Sequence, residues 1–575
     1  MGESQLPKIR LRIFSFIFLV GVGALLFKLF SWQVLKASEL SSQAKLQHQQ
    51  GDKISAQRGN ILASDGTWLA ASIEGWQVYA EKPKLKDSIR SIANRLAPFF
   101  ITEEENDTLL EETMRLEALL SKKEAVWVPL KSKVTREVKN NIEALNIEGI
   151  GFEDESLRFY PESSSSAQVL GFVGKDEEGS DQGYFGLEGY YDLVLAGKPG
   201  FVKRESNASG VPLFSGQGKE IAAIGGIDLV LHLDKGIQRI VEAKLEKAIE
   251  AYGAKSGTVI VMNPKDGAVL AMASYPSYDP KEYFKYGDEY FKNPAISDSF
   301  EPGSVFKPII MAAALDAEAV KPDTKCEICD GPLKIDKYEI ETWNREYRPD
   351  STMTDVIIHS DNVGMVFAGQ KLGADKLYDY LDRFGIGELT NIDLQGEVNP
   401  GLREKKTWNI VDLATASFGQ GVAVTPIQMA KAVAVIANKG KAAAPQVVDK
   451  IEVDAWEEDI KPEIGERVIS EKAARAITEM MVLAVKEGES KWVQARGFRV
   501  AGKTGTAQIP VKGHYDEEKT IASFVGFAPA EDAKFVMLVT LREPESSPWA
   551  SETAAPFWFS IAGELFPYLG IQPGS

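Results

Sequence analysis

Glu301-Pro302-Gly303-Ser304-Val305-Phe306-Lys307-Pro308 is the stretch on which the reading of this chain turns. Pro302 and Gly303 break whatever precedes them, and an apolar run follows from Ile309 to Leu315, so a helix is predicted to start here. Pro308 fits that helix only in its first turn, where backbone N–H groups have no intrahelical acceptor. Ser304 then sits at the helix N-terminus, with Lys307 three residues on and on the same face. A serine so placed has two aids toward becoming a nucleophile. A nearby amine can take its proton, and the positive helix end favours developing negative charge. The pattern is weak by itself, because an ordinary surface helix also carries Ser and Lys. Ser42-x-x-Lys45 repeats it beside a run that reads as a membrane anchor.

Two further stretches strengthen it. Ser360-Asp361-Asn362 follows a helical run, Thr352 to Ile358, in which Thr352 and Asp355 are placed for a capping box. Lys503-Thr504-Gly505-Thr506 follows Arg499-Val500-Ala501-Gly502, a short strand-like approach. Ser-x-x-Lys, Ser-x-Asn and Lys-Thr-Gly, in that order within one domain, are the set carried by serine β-lactamases and penicillin-binding proteins. The chain resembles these penicillin-recognising acyl-serine enzymes.

Composition excludes several other classes. At 575 residues the chain is too long for one domain, and an apolar fraction of 44% is ordinary for globular protein. A formal charge of -18 argues against nucleic acid as partner, since a phosphate backbone would repel it. Two cysteines, Cys326 and Cys329, make no disulfide scaffold. Four histidines, His48, His232, His359 and His514, leave no His-rich metal centre, and no metal or other cofactor is expected. His359 beside Ser360 invites a Ser-His reading, but adjacent residues on a helix point apart. Cys326-Glu327-Ile328-Cys329 is open to three readings: a local disulfide, a redox pair or half a zinc site. Zinc needs about four ligands and no second pair exists, which leaves a structural loop tie or free thiols.

Taken in order, the chain begins with Lys8, Arg10 and Arg12 ahead of an apolar run from Ile13 to Phe27 that resumes after Lys28 through Leu35. Lys28 can snorkel, and the whole reaches the roughly 20 residues of a span. The basic flank predicts a cytoplasmic N-terminus. Trp32-Gln33-Val34-Leu35 is too bulky for a signal-peptide cleavage site, so an uncleaved anchor is expected, with the bulk of the protein outside the membrane. Gln57-Arg58-Gly59-Asn60-Ile61-Leu62 then leads through Asp65-Gly66 to Leu69-Ala70, a turn between two strand-like pieces. Glu103 to Lys123 is acidic, with Leu109, Met114, Leu116, Leu119 and Leu120 at helical spacing, and reads as a solvated amphipathic helix. Arg158-Phe159-Tyr160-Pro161 and Gly186-Leu187-Glu188 lie in a glycine-punctuated region with little chemistry of its own.

From about Gly226 the pattern changes. Asp228 to Leu233 is strand-like, and Asp234 to Tyr252 is helical. Thr258 to Met262 and Ala268 to Ala273 form a hairpin across Asn263-Pro264-Lys265-Asp266-Gly267. Ser417-Phe418-Gly419-Gln420-Gly421 is a glycine loop before Thr425-Pro426-Ile427-Gln428, a helix start with Pro in its first turn. Ile521 to Ala528 and Lys534 to Leu541 make a second strand pair, and Ala554 to Leu565 a closing helix. Strands at both ends of a helix-rich middle predict an antiparallel sheet with helices on its faces.

These stretches look like more of one family. Arg58-Gly59 with Asp65 and Leu69-Ala70, Arg158 to Pro161 with Glu188 and Leu195, and Phe418 to Gly421 with Thr425 and Gln428 resemble the class B penicillin-binding proteins over nearly everything after Gln57. The resemblance is to the septal, division type more than to the elongation type. It implies an α+β multidomain chain: 1–12 a cytoplasmic tail, 13–35 a transmembrane anchor, 36–225 an elongated β-rich pedestal of dimerisation type, and 226–575 a transpeptidase domain. In the pedestal, Arg58, Arg158 and Glu188 are expected to hold modules together. In the catalytic domain Ser304 is the implied nucleophile and Lys307 its base, with Ser360 as proton relay. Asn362 is implied to hold the substrate amide. The N–H groups of Ser304 and Thr506 would form the oxyanion hole. Lys503, Thr504 and Thr506 suit a substrate carboxylate, and Gly505 leaves room along the strand.

The implied substrate is a peptidoglycan stem peptide ending in D-Ala-D-Ala, whose acyl group passes to a neighbouring amine as a crosslink; β-lactams would trap Ser304. A polytopic glycosyltransferase and division proteins are the implied partners at the membrane. Three rival readings remain: a β-lactam sensor, a catalytically weak division scaffold, and a D,D-carboxypeptidase or endopeptidase using the same site.

Overall fold

The computed structural model describes residues 49–101, 108–122, 125–177, 179–205, 219–453, 456–511 and 514–574, together with Phe18, Val22, Leu25 and Lys28, which are helical. The predicted anchor lies outside the described residues save for those four positions, and so does the Ser42 repeat. No helix among the described residues is long and apolar enough to cross a membrane.

Two units divide the chain. The smaller, 1–57 with 197–225, holds a three-stranded antiparallel sheet in which Gly200–Glu205 lies between Gln49–Ile54 and Lys219–Ile221. The larger unit, 58–196 with 226–575, contains everything that follows.

In the larger unit Ile61–Leu62 (β1) turns back into the long strand Trp68–Glu81 (β2). The predicted Asp-Gly turn is closed by Asp65 Oδ1, which accepts from Thr67 N and Oγ1. Trp127–Val134 (β3) and Ile150–Phe159 (β4) both pair antiparallel with β2. Asp228–Leu231 (β5) joins this sheet, parallel to β1 and antiparallel to Val448–Val453. One sheet therefore takes strands from before and well after position 226. Behind it the acidic segment is helical over Leu109–Leu120, begun by a Thr108–Glu111 capping box. Its buried line is Glu112, Thr113, Leu116 and Leu120, while Leu109 and Met114 are exposed. Glu112 is tolerated inside because Arg115 Nε and Nη2 hold its two oxygens at 2.7 Å each.

The three pedestal residues singled out in the sequence converge. Glu188 has no exposed surface; Arg58 Nε donates to its Oε2 and Arg158 Nε to its Oε1, each at 2.7 Å. Burial alone would push the carboxyl up, but the two guanidinium charges outweigh it and hold Glu188 below its ordinary value.

The second sheet is the scaffold of the site. Lys235–Tyr252 (α1) precedes the predicted hairpin of Ser256–Met262 (β6) and Val269–Tyr275 (β7). Then come the helices Lys307–Asp316 (α2), Met353–Ile358 (α3), Asn362–Leu372 (α4), Pro426–Ala437 (α5) and Glu471–Glu487 (α6). Ala501–Val511 (β8), His514–Ala528 (β9), Phe535–Arg542 (β10) and Ala554–Tyr568 (α7) complete it. The strand order is β7-β6-β10-β9-β8, antiparallel throughout. Both faces are covered, and alternation along β6 records it. Val259 and Val261 pack with α1 and α7, while Ile260 and Met262 pack with α2 and α5. Helix α2 is buried without interruption from Lys307 to Ala314, the mark of a central helix surrounded by others. Cys326 and Cys329 form a disulfide that ties a loop between α2 and α3.

Candidate active site

Ser304 stands in a single 3-10 turn, Gly303–Phe306, that runs straight into α2, with Pro308 in the first helical turn as predicted. The turn is pinned from behind. Gly303 N donates to Gly419 O at 3.0 Å, and Phe300 and Val424 exchange backbone bonds. The Phe-Gly-Gln-Gly loop is thereby fastened to the serine. Ser304 stays half-buried, whereas Lys307 one turn on has no exposed surface.

A fully buried amine needs partners. Lys307 Nζ donates to Ser360 O at 2.6 Å, to Ser360 Oγ at 3.2 Å and to Asn362 Oδ1 at 2.7 Å. These acceptors come from the junction of α3 and α4. The predicted Thr352–Asp355 capping box starts α3, and Asp361 caps α4 by accepting from Val363 N and Gly364 N. Between the two helices Ser360 takes a left-handed conformation, φ 56°, uncommon for a serine. That bend turns both its carbonyl and its hydroxyl toward Lys307. Asn362 Nδ2 donates to Glu341 O at 2.9 Å, which fixes the amide plane and leaves its second proton for other use.

The Lys-Thr-Gly strand closes the opposite side. Gly505 marks its nearest approach: a Cβ there would lie 2.8 Å from Val305 Cγ1 and 2.9 Å from Val305 N and Ser523 Oγ. Only a glycine lets the edge of β8 pass so close to the serine turn. Lys503, almost fully buried, donates to Thr504 O and Thr504 Oγ1 at 3.2 Å each. Thr504 Oγ1 donates to Glu489 Oε2 at 3.0 Å, and Thr506 Oγ1 accepts from Ala550 N at 3.0 Å.

Ser304, Ser360, Asn362, Thr504 and Thr506 line a cleft of about 130 Å³; Lys307 and Lys503 are buried behind it, hydrogen-bonded to Ser360 and Asn362 and to Thr504 respectively, and Gly505 lies between Thr504 and Thr506. All of the predicted site residues are thus brought together. Phe418 and Gln420 also line it, as do Trp343, Trp549 and Glu489, which sequence reasoning missed. The two tryptophan rings lie 5.4 Å apart. Both are exposed loop residues outside any periodic pattern, so no local signal marks them. His359 is not among the cleft residues. A larger cavity, about 710 Å³, lies over α1 and Tyr275 and contains none of these groups; convergent polar chemistry, not size, distinguishes the site.

Burial pushes the Lys307 amine from 10.5 down to about 7, and the Lys503 cation pushes it the same way, against Asp361 and Glu489. Lys503 is lowered by burial and raised by Glu489. Near neutral pH a fraction of Lys307 is therefore neutral, with a lone pair that can accept a proton. Ser304 lies one helical turn away, on the cleft.

Known families and proteins match this chain over most of its length. The family description "Penicillin binding protein transpeptidase domain" matches residues 257–563, and "Penicillin-binding Protein dimerisation domain" matches 53–231. Stage V sporulation protein D of Bacillus subtilis is 32% identical over 546 residues, which are 94% of this chain and 83% of that protein. Peptidoglycan D,D-transpeptidase FtsI of Escherichia coli is 28% identical over 554 residues, 94% of this chain and 88% of that one. Penicillin-binding protein 2X of Streptococcus thermophilus shares the fold at a TM-score of 0.75 and 24% identity, covering 91% of this chain and 80% of that one. This chain belongs to the class B penicillin-binding proteins, the family of the peptidoglycan D,D-transpeptidases.

Proposed function

We propose that the chain crosslinks peptidoglycan at the division septum through an acyl-serine formed on Ser304. The observation that carries this is the buried Lys307 amine, held on Ser360 and Asn362 behind the cleft that Ser304 shares with the Lys-Thr-Gly strand. A stem peptide ending in D-Ala-D-Ala lies along β8, its carboxylate on Lys503, Thr504 and Thr506 and its amide on Asn362. Neutral Lys307 takes the Ser304 proton as Oγ attacks the carbonyl. The N–H groups of Ser304 and Thr506 stabilise the oxyanion. The C–N bond breaks, and Ser360 relays a proton to the departing D-Ala. An amine of a second stem peptide then attacks the ester; the new C–N bond forms as the acyl C–Oγ bond breaks, and the proton lost by the amine returns to Ser304 Oγ. β-Lactams present the same carbonyl and carboxylate and stay attached.

Residues 13–35 act as a single-pass anchor with the N-terminus in the cytoplasm, supported by the basic flank at Lys8, Arg10 and Arg12. The pedestal, 36–225, and the transpeptidase domain, 226–575, then work outside the membrane. A membrane glycosyltransferase and division proteins dock at the anchor and pedestal. An anchor-swapped chain that still co-purifies with that glycosyltransferase and stimulates it removes the anchor from the contact.

Labelling with a fluorescent penicillin, beside Ser304→Ala and Ser42→Ala, tests the reading. An adduct lost only in Ser304→Ala is expected. No adduct on the folded wild type overturns it in favour of a scaffold. Release of hydrolysed peptide instead of a crosslinked product, with an amine acceptor supplied, makes the enzyme a carboxypeptidase.

A further inference from the structure

Gly488-Glu489-Ser490 follows the C-terminus of α6. A Cβ on Gly488 would fall 2.3 Å from Ala484 O and 2.7 Å from Ile358 O. The backbone is therefore wedged between α6 and the end of α3, two residues ahead of Ser360. The wedge delivers Glu489 into the cleft it shares with Ser304, Ser360 and Asn362. There Glu489 Oε2 accepts the Thr504 hydroxyl proton at 3.0 Å, while Thr504 Oγ1 accepts from Lys503 Nζ at 3.2 Å. Ammonium, hydroxyl and carboxylate in that order are what a bound substrate carboxylate would make on the Lys-Thr-Gly strand. Here the protein's own carboxylate takes the ligand's place.

We propose that Glu489 is a charge-selecting residue of the cleft, which holds the Thr504 hydroxyl in the free protein and yields it to the substrate's terminal carboxylate. This rests on the transpeptidase reading of the strand as a carboxylate handle. Thr504 has one hydroxyl proton and cannot donate it to two carboxylates at once. A like charge at the handle also repels the incoming one. The cost falls on the encounter, before Ser304 attacks, so it weakens the complex that precedes acylation; the carboxylate also favours the Lys307 ammonium, an effect that is gone at high pH where Lys307 is neutral. Small carboxylates with no other hold on the cleft are turned away most. The departing D-Ala is one of these, and the return of Glu489 to Thr504 clears it before the acceptor amine arrives.

Rapid-mixing kinetics with benzylpenicillin on the full chain separate the dissociation constant of the pre-acylation complex from the rate of the acylation step. Glu489→Gln keeps the shape and removes the charge. It is expected to tighten the complex about tenfold, with the acylation step, compared at about pH 9 where Lys307 is neutral in both proteins, within about twofold of wild type. Free D-alanine, used as a competitor, should protect the Gln variant from labelling at lower concentration than wild type. Glu489→Asp, charged but one methylene short of Thr504, should tighten the complex less than Gln does, and it carries the test if the Gln variant fails to fold. A complex unchanged or weakened in a folded variant overturns the proposal. So does a changed acylation step without tighter binding, which would put Glu489 in the chemistry. Failure of wild type to form any adduct is a different result and overturns the acyl-serine reading instead.

Discussion

Lys307 Nζ lies 2.7 Å from Asn362 Oδ1, and the amine's remaining bonds also go to the α3–α4 junction, at Ser360. A protonated amine spends its three protons on these acceptors; a neutral one has a lone pair for the Ser304 proton. Burial, then Lys503, bring the changeover to about 7. Acylation by benzylpenicillin is therefore expected to rise about tenfold between pH 6 and pH 8 and to level off above that. A profile flat across this range would remove Lys307 as the base. Linkage gives a second readout. The folded amine is lowered below its unfolded 10.5, so between about 7 and 10.5 the unfolded chain holds the extra proton. Stability must then climb with pH through that window, and Lys307→Met should lose that climb in denaturant titrations.

Asn362→Asp probes the same contact from the other side. It sets a carboxylate where an amide oxygen now faces Nζ at 2.7 Å. A negative charge there favours the ammonium, so the acid limb of the acylation profile is expected to move up by at least about one pH unit. The rate at pH 7 falls accordingly and recovers at higher pH. A limb that stays in place would mean that another group titrates.

Glu188 is a structural case, remote from the reacting groups. It is fully buried between Arg58 and Arg158. Glu188→Gln strips the buried Arg158 guanidinium of its counter-charge and leaves Arg58 with Asp192 alone, which is expected to cost about 3–5 kcal/mol in unfolding free energy. The wild-type carboxyl is held below its ordinary 4.5 by the arginines, against burial. Its contribution is thus complete above pH 4.5 and lost as the pH falls through the lowered value. Thermal melts at neutral and acid pH check both points: the variant should melt lower at neutral pH and lose less on acidification.

Much of this was legible in the sequence, for local reasons. The strands β6, β9 and β10 and the helix α2 announce themselves as apolar runs, because both faces of the sheet and all sides of the helix are buried. The three short motifs carry the site because each places its residues through local geometry: a helix start, a helix junction and an edge strand. What depends on distant pairing was not legible. Asp228–Leu231 reads correctly as a strand, yet its neighbours are Ile61–Leu62 and Val448–Val453, which no local pattern announces. The Cys326–Cys329 pairing stayed open because spacing alone does not separate a tie from free thiols. In the sequence Glu489 has no local pattern to set it apart from the acidic residues around it. Its position in the cleft follows from the wedge at Gly488, visible only once α3 and α6 are packed.

Gly505 tests how tightly the site depends on close backbone approach. A methyl group added there would come within 2.8 Å of Val305 Cγ1 and 2.9 Å of Val305 N. Neither neighbour can yield easily, because Val305 is fully buried and its backbone belongs to the turn that carries Ser304. The strand must move outward, and the Thr506 N–H and the Lys503–Thr504 handle move with it. Overpacking of this size costs about 1–3 kcal/mol of stability, which a domain of this size tolerates. The effect on the proposed chemistry is larger, because the Thr506 N–H, displaced by a fraction of an ångström, would lose most of its value as an oxyanion donor. Gly505→Ala is therefore expected to remain folded while its acylation rate constant falls by about a hundredfold or more. Melting temperature and penicillin labelling measured on the same preparation separate the two effects. A folded variant that labels at the wild-type rate would show that β8 has slack to give, and that the short contacts at Val305 do not set the geometry of the site.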